Sequence, residues 1–437
     1  MMQNKDITNK ILEFINDLSK DTNLFPYLYN FNNTGDINKV YYSGPFWNEK
    51  EIAAIIQTVL TGKWISSGEN VRKFEVAFGK KFNNKYNLMV NSGSSANLAL
   101  LAALKKRFNW KDNDEIILSV VGFPTTLSPI IQNNLKPVFV DIEKDNLNFD
   151  LNLIEEKITS KTKAVILSPV LGNTPDMDML KNICDKHNIL LVLDNCDSLG
   201  SKWKGKFLNE YAIASSCSFY PAHHICTGEG GMVSSNDDEI IKIARSVAWW
   251  GRDCHCIGAA NLLACGTCGN RFDRWLDDYN GVVDHKYVFT NVGYNLKPLD
   301  LQGAVGQIQI EKFNEIHTNR INNKNAIAKI LLKYLNFIKI PTEIEHAETS
   351  WFGIPIICDN KQNKTNLVAF LEDNGIQTRN YFAGNILLHP AFKDLDDYKK
   401  YPIANMVLDE VFFIGCAPNY TTETLDYIEK TISKYNA

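Results

Sequence analysis

The chain has 437 residues, 45% of them hydrophobic and 22% charged, with a formal net charge of −4. This length allows one large globular domain and a smaller companion. The negative net charge, with no basic run interleaved with aromatic residues, argues against a nucleic-acid-binding surface. The first residues lack the apolar core of a signal peptide, and no apolar run could span a membrane, so the sequence predicts a cytoplasmic enzyme.

The first part of the chain predicts an α/β fold behind a helical N-terminal extension of residues 1–42, in which "ILEFINDL" has helical spacing. From residue 43 to 315, helical segments such as "SSANLALLAALKKRF" alternate with short apolar runs. Those runs suit buried strands of a largely parallel sheet, and they read "NLMVNS", "EIILSV", "KPVFVDI", "KAVILSPV" and "ILLVLDN". Such alternation places a site at the carboxyl ends of the strands.

Residues 250–290 break this rhythm with many Gly, Cys and Asp residues and little periodicity. A long irregular insertion in a compact domain is uncommon unless it is functional. After it, a long helix is predicted to lead into a smaller C-terminal α+β domain, residues 316–437.

Three short segments could form an anion and ring site. In "NSGSSANLAL" a strand runs into a helix through Gly93, Ser94 and Ser95, so a helix N-terminus could hold a phosphate, although the turn could also be an ordinary cap. Asp194 follows the apolar run "ILLVL", where a buried acid needs a partner such as a protonated ring nitrogen; it could instead cap the next turn. Phe123 could stack on a ring or belong to the core.

In their order and spacing, these pieces resemble the DegT/DnrJ/EryC1/StrS sugar aminotransferase family of fold-type-I pyridoxal-phosphate (PLP) enzymes. The resemblance covers nearly the whole chain after residue 40 and includes "SFYPAHHICTGEGG" and "GYNLK". It implies a large mixed-sheet α/β/α domain with a smaller α+β domain. It also implies that Ser218 and Asn295 bind the cofactor phosphate, Asn295 reaching across from the partner subunit of a homodimer.

The family's cofactor-binding lysine is missing. His223 stands at its position, and histidine cannot hold the cofactor covalently, so pyridoxamine phosphate (PMP), which brings its own amine, fits better than PLP. Histidine carries protons near neutral pH, so His223 is the predicted base at C4′, and Tyr220 could assist it or simply pack. The alternative is that another lysine supplies the amine, the candidates being Lys202, Lys204 and Lys206.

With histidine at the position of this lysine, the chain resembles the PMP-dependent sugar 3-dehydratases. These act on nucleotide-linked 4-keto-6-deoxy sugars and lead to 3,6-dideoxyhexoses of the kind found in lipopolysaccharide O-antigen. One branch of them contains a [2Fe–2S] cluster whose ligands follow C-x57-C-x-C-x7-C. The spacing of Cys196, Cys254 and Cys256 matches the first three positions.

The fourth ligand departs from the pattern, which would place it at Ala264. The context "CGNRF" favours Cys268, with Cys265 as the alternative. Four cysteines could also hold zinc, although zinc ligands usually come as two local pairs. Five further cysteines are interpreted as small core residues or inert thiols: Cys184, Cys217, Cys226, Cys358 and Cys416.

The cluster-bearing branch implies a CDP-linked substrate and electrons from a flavin and iron–sulfur NAD(P)H reductase, because the chain has no flavin or nicotinamide motif. Arg379, in "TRNYFAGNILLHPAF", could pair with a phosphate or sugar oxygen of the substrate. Two other hypotheses remain open. One is a cluster-free, GDP-sugar type 3-dehydratase that uses glutamate; the other is a non-catalytic protein that binds sugar nucleotides.

Overall fold

The computed structural model describes residues 4–18, 20, 38–62, 65–254, 256, 271–272 and 276–435. The helices are α1 (Asn4–Leu18), α2 (Glu49–Thr61), α3 (Glu69–Phe82), α4 (Gly93–Arg107), α5 (Pro124–Gln132), α6 (Met177–Lys186), α7 (Asp238–Ala248), α8 (Asp300–Tyr334), α9 (Lys361–Asp373), α10 (Pro402–Glu410) and α11 (Thr422–Ile432). The strands are β1 (Tyr86–Val90), β2 (Glu115–Ser119), β3 (Lys136–Val140), β4 (Thr162–Leu167), β5 (Leu190–Asp194), β6 (Lys202–Trp203), β7 (Lys206–Phe207), β8 (Ala214–Ser218), β9 (Gly231–Ser235), β10 (Ile338–Lys339), β11 (Ala347–Glu348), β12 (Gly353–Cys358), β13 (Thr378–Asn380) and β14 (Val411–Gly415).

The large sheet has seven strands in the order β1-β9-β8-β5-β4-β2-β3. The strands β3, β2, β4, β5 and β8 pair in parallel, whereas β9 runs antiparallel to both β8 and β1. The five predicted apolar runs form β1 to β5. Hydrophobic clusters pack against both faces of this sheet, which gives the predicted α/β sandwich around a mixed sheet.

The antiparallel strand β9 brings the ends of β1 and β8 together. Its first residue, Gly231, pairs with Val90 on one side and with Ser218 on the other. A Cβ at Gly231 would lie 2.3 Å from the backbone oxygen of Ser92, so this close approach requires glycine. The start of α4 and the carboxyl end of β8 therefore lie side by side.

A second, antiparallel sheet has the order β10-β12-β14-β13 and shares a hydrophobic core with α9 and α11. Helix α8 contacts α2 and α3 and also contacts α11 and β12. The predicted boundary at residue 315 falls within α8, so the two parts share one helix and their division stays a prediction. In the extension, Ile11 and Ile15 of α1 pack on Ala53 of α2.

Much of the predicted insertion at 250–290 lies outside the described residues. In its described part, regular structure is limited to the short 3-10 helix His285–Tyr287. Among the helices that the structure describes, none is both long enough and apolar enough to cross a membrane.

Candidate functional site

A cavity of about 870 Å³ lies at the carboxyl ends of β5 and β8, where the sequence placed the site. It is lined by the predicted residues Gly93, Ser94, Ser95, Phe123, Asp194, Cys196, Ser218, Tyr220, His223 and Arg379. Segments that are far apart in the chain therefore meet in one place, while the role of each residue stays a prediction.

The first turn of α4 forms one wall of the cavity. The Ser92 hydroxyl oxygen accepts the N–H of Ser95 at 3.1 Å and so caps the helix. A Cβ on Gly93 would lie 2.5 Å from the Ser218 Cβ, so glycine is what allows α4 to approach the end of β8. The positive end of the helix dipole and free N–H groups lie here, an arrangement that favours an anion.

Asp194 ends β5 and is 5% exposed. One of its oxygens accepts hydrogen bonds from the side chains of Asn97 at 2.8 Å and Thr126 at 2.7 Å. Its other oxygen accepts the N–H of Cys196 at 3.2 Å, and the Ser216 hydroxyl, 3.5 Å away, donates to the side-chain oxygen of Asn97. Donors from three segments thus fix the direction of a buried carboxylate at the cavity, and Ser216 of β8 holds one of them.

His223 lies in the turn after β8, with its ring 5.1 Å from the ring of Phe352. Burial, and then the charge of Arg320, lower the pKa of His223 to about 3. Its Nδ1 is 3.7 Å from a carboxyl oxygen of Asp197 and has no hydrogen-bond partner in the described part of the chain. The imidazole is therefore neutral at neutral pH and can accept a proton.

Asp197 was not predicted as a site residue, because no motif in the sequence marks it. Burial, and then the negative charge of Asp194, raise the pKa of Asp197 to about 8. The carboxyl group that faces His223 is therefore mainly protonated at pH 7, and this pair is mainly uncharged.

One wall of the cavity is built largely from aromatic residues that no sequence motif marked. The guanidinium of Arg379 lies 4.2 Å from the centre of the Tyr42 ring. Burial, and then the neighbouring Tyr220, raise the pKa of Tyr42. Phe382 packs edge-on against Phe123 at 5.9 Å, which joins the C-terminal part of the chain to the loop before α5. Phe352 and Phe413 complete this wall.

Three of the predicted cluster ligands lie in the described part of the chain. Cys196 lines the cavity, and Cys254 and Cys256 are buried next to each other, where burial raises the pKa of the Cys254 thiol. Both candidates for the fourth ligand, Cys265 and Cys268, lie outside the described residues. Within those residues, no three His, Cys, Asp or Glu side chains are arranged to hold a metal ion.

Asn295 does not line the cavity of its own chain; it is exposed and its backbone bridges to Trp249. The alternative lysines also lie elsewhere. Lys202 pairs with Glu348 and Lys204 pairs with Asp178, and Lys206 lies on β7 of the small sheet β11-β6-β7. In the described part of the chain, no lysine lines the cavity.

The profile of the DegT/DnrJ/EryC1/StrS aminotransferase family matches residues 47–433. The chain belongs to this family. It is 37% identical over 405 residues to the lipopolysaccharide biosynthesis protein RfbH of Salmonella typhimurium, with 90% of each chain covered. It is also 37% identical over 407 residues to dTDP-4-dehydro-2,6-dideoxy-D-glucose 3-dehydratase of Saccharopolyspora spinosa, covering 90% of this chain and 86% of the relative.

Among solved structures, the fold is similar to that of E. coli GDP-4-keto-6-deoxy-D-mannose-3-dehydratase with bound hydrated PLP. The TM-score is 0.78 at 28% identity, and 91% of this chain and 100% of that chain are covered. Membership of the DegT/DnrJ/EryC1/StrS family confirms the predicted fold-type-I architecture. The relatives of this chain include 3-dehydratases named for dTDP-linked and GDP-linked sugars.

The low pKa of His223 predicts a pH-dependent stability. Below about pH 6.5 this histidine is protonated in the unfolded chain but stays neutral in the folded protein. The free energy of unfolding therefore falls as the pH drops toward 3. Replacing the residue in His223→Asn should reduce the loss of stability between pH 7 and pH 5 by about 2 kcal/mol. Denaturant unfolding of the cofactor-free protein at both pH values measures this difference.

The matched control is His346→Asn, which changes an exposed histidine outside the cavity. It should leave the pH dependence as in the wild type. An equal loss of stability in the wild type and His223→Asn would show that His223 is not held neutral by the fold.

Proposed function

We propose that this chain is a nucleotide-sugar 3-dehydratase that binds PMP, or PLP, without a covalent link. The observation that carries the proposal is His223, which lines the cavity with Asp194, whereas no lysine of the described chain does so. Relatives whose names describe 3-dehydratases support this reaction class over amine transfer.

The residues of the cavity fit such a cofactor. At Gly93 an added Cβ would lie 2.9 Å from the Ser218 hydroxyl, so glycine keeps open a small cradle at the N-terminus of α4 that suits a phosphate. The buried Asp194 carboxylate suits a protonated ring nitrogen. The residues that would hold the cofactor are Gly93, Ser94, Ser95, Phe123, Asp194 and Ser218.

When bound, the cofactor supplies an amine that condenses with a ketone and a conjugated ring that accepts electrons. His223 is neutral at neutral pH, which is the form that can take the proton from C4′ and return it, and burial makes this imidazole a weaker base than a free histidine. The carboxyl group of Asp197 lies 3.7 Å from the Nδ1 of this histidine. Tyr220, whose ring centre is 6.2 Å from that of His223, borders the same space.

For the substrate, we propose a CDP-linked 4-keto-6-deoxyhexose that loses its 3-hydroxyl on the way to a 3,6-dideoxyhexose. Arg379, which lines the cavity, would pair with a phosphate or sugar oxygen, and its stacking on Tyr42 limits where its charge can lie. The names of the relatives include dTDP and GDP sugars. Turnover measured with the CDP, dTDP and GDP sugars would therefore identify the nucleotide that this chain uses.

We further propose a [2Fe–2S] cluster held by Cys196, Cys254, Cys256 and Cys268, supplied with electrons by a separate NAD(P)H-dependent reductase. The adjacent buried thiols of Cys254 and Cys256 support part of this ligand set, and Cys196 lines the cavity where electrons would be needed. Such a cluster transfers one electron at a time.

A cluster-free 3-dehydratase is the second candidate. It is favoured by the likeness to the E. coli GDP-sugar enzyme. In that case glutamate would regenerate the cofactor and no reductase would be required.

We propose that the active unit is a homodimer in which Asn295 reaches the cofactor phosphate of the partner subunit. The exposed position of Asn295 outside its own cavity supports this arrangement, as does the exposure of its neighbours Val292, at 92%, and Tyr294.

The visible spectrum of anaerobically prepared protein, before and after dithionite, tests the cluster. Sulfide-to-iron bands that bleach on reduction are expected, and Cys268→Ser should abolish them while the matched variant Cys265→Ser keeps them. Cofactor absorption alone, even after reconstitution with iron and sulfide, would contradict the cluster and favour the cluster-free enzyme.

Turnover of the CDP sugar tests the role of His223. The change His223→Asn should lower turnover by about 100-fold or more, because the base is lost while the cavity keeps its shape. Binding of PMP, followed by fluorescence, should remain. The control His224→Asn changes the neighbouring histidine, whose Nε2 contacts the Ser350 backbone oxygen at 3.0 Å, and should keep most activity. A fully active His223→Asn enzyme would exclude this histidine as the base.

A further inference from the structure

Arg320, in the middle of α8, is completely buried. Its guanidinium donates hydrogen bonds to the backbone oxygens of Phe352 at 3.0 Å, Ala222 at 2.9 Å and His223 at 3.3 Å. One side chain thus joins the turn that carries His223 to the residue that forms the neighbouring wall of the cavity.

In the described part of the chain, this guanidinium forms no ion pair with a carboxylate and its Nε has no acceptor, although the thiol of Cys416 and the carboxyl group of Asp197 interact with it. A buried charge without a carboxylate partner costs free energy that carbonyl oxygens only partly offset. Because this charge is bonded to the backbone of the turn that carries His223, we expect it to do more than pack.

We propose that Arg320 is the positioning residue for His223, holding the histidine turn and Phe352 in one fixed arrangement. The inference rests on the proposed role of His223. A lysine bonded to its cofactor is placed by that bond, whereas a histidine depends on the contacts of its own turn. The Ala222 oxygen also accepts a hydrogen bond from the Ser43 hydroxyl at 3.0 Å, so two side chains hold the same carbonyl group.

The charge of Arg320 has a second effect on the same histidine. The groups that face His223 are Asp197, Tyr220, His224 and Arg320. Burial is the main cause of the low pKa of His223, and the positive charge of Arg320 lowers that pKa further. Removal of this charge should make the imidazole easier to protonate.

Two substitutions separate the charge from the hydrogen bonds. Arg320→Met removes both, and Arg320→Lys keeps the charge but cannot reach three carbonyls in fork geometry. The matched control is Lys324→Met, one turn further along α8. Lys324 is also buried, at 4% exposed, and it lies near Glu343 and Trp351 rather than near His223.

The pKa of His223 is measured by NMR on the cofactor-free full chain with labelled histidines, with His223→Asn identifying its signal among eight. Arg320→Met should raise this pKa, and Arg320→Lys should leave it close to the wild-type value. Both variants should lower turnover by about tenfold or more, because the base is displaced. Lys324→Met should change neither quantity.

Unchanged pKa and turnover in Arg320→Met would overturn the inference, as would equal changes in Lys324→Met. If Arg320→Met does not fold, Arg320→Lys decides: reduced turnover at an unchanged melting temperature supports positioning, and full turnover contradicts it. The NMR shift does not depend on the reaction. A shifted pKa with no turnover in the wild type would therefore reject the proposed function and leave the link between Arg320 and His223 intact.

Discussion

The architecture of the site depends on one buried carboxylate. Asp194 sits at the end of β5 in a place that water barely reaches, so its lone pairs must be satisfied by the protein. Asn97 of α4, Thr126 of α5 and the N–H of Cys196 provide the donors, and the Ser216 hydroxyl of β8 donates to the side-chain oxygen of Asn97. Through these bonds, the residues also fix the relative positions of the helix start, the ring wall and the strand end that surround the cavity.

The histidine turn adds a second constraint of a different kind. At neutral pH the pair formed by His223 and Asp197 is mainly uncharged, because burial opposes the ionisation of both groups. A neutral histidine that lines the cavity can accept a proton, but it has no amine with which to bond the cofactor covalently. In the proposed function, the helix N-terminus and Asp194 would hold the cofactor, and the backbone contacts of the histidine turn, among them those with Arg320, would hold the base.

Much of the fold was predictable because its signals are local. The apolar runs that became β1 to β5 and the Gly/Ser turn before α4 can be read within ten residues. The strand β9, "GMVSS", was missed because its small and polar residues carry no strand pattern, although its pairing between β1 and β8 buries all of it. The shared helix α8 likewise could not be divided between domains from sequence periodicity.

The site was only partly predictable, for a related reason. Asp194 and His223 lie in motifs, whereas Tyr42, Phe352 and Arg320 are ordinary residues that reach the site only through long-range packing. Cysteine spacing predicted a ligand set, yet spacing does not give distance in space. The structure puts Cys254 beside Cys256 and puts Cys196 at the cavity.

A cofactor held without a covalent bond is tested most directly by the intact mass of PLP-loaded protein after borohydride reduction. The wild type should keep its unmodified mass, and His223→Lys should gain one cofactor. A wild-type protein that gains the mass of one reduced cofactor would show that a lysine holds it, and would contradict the central claim.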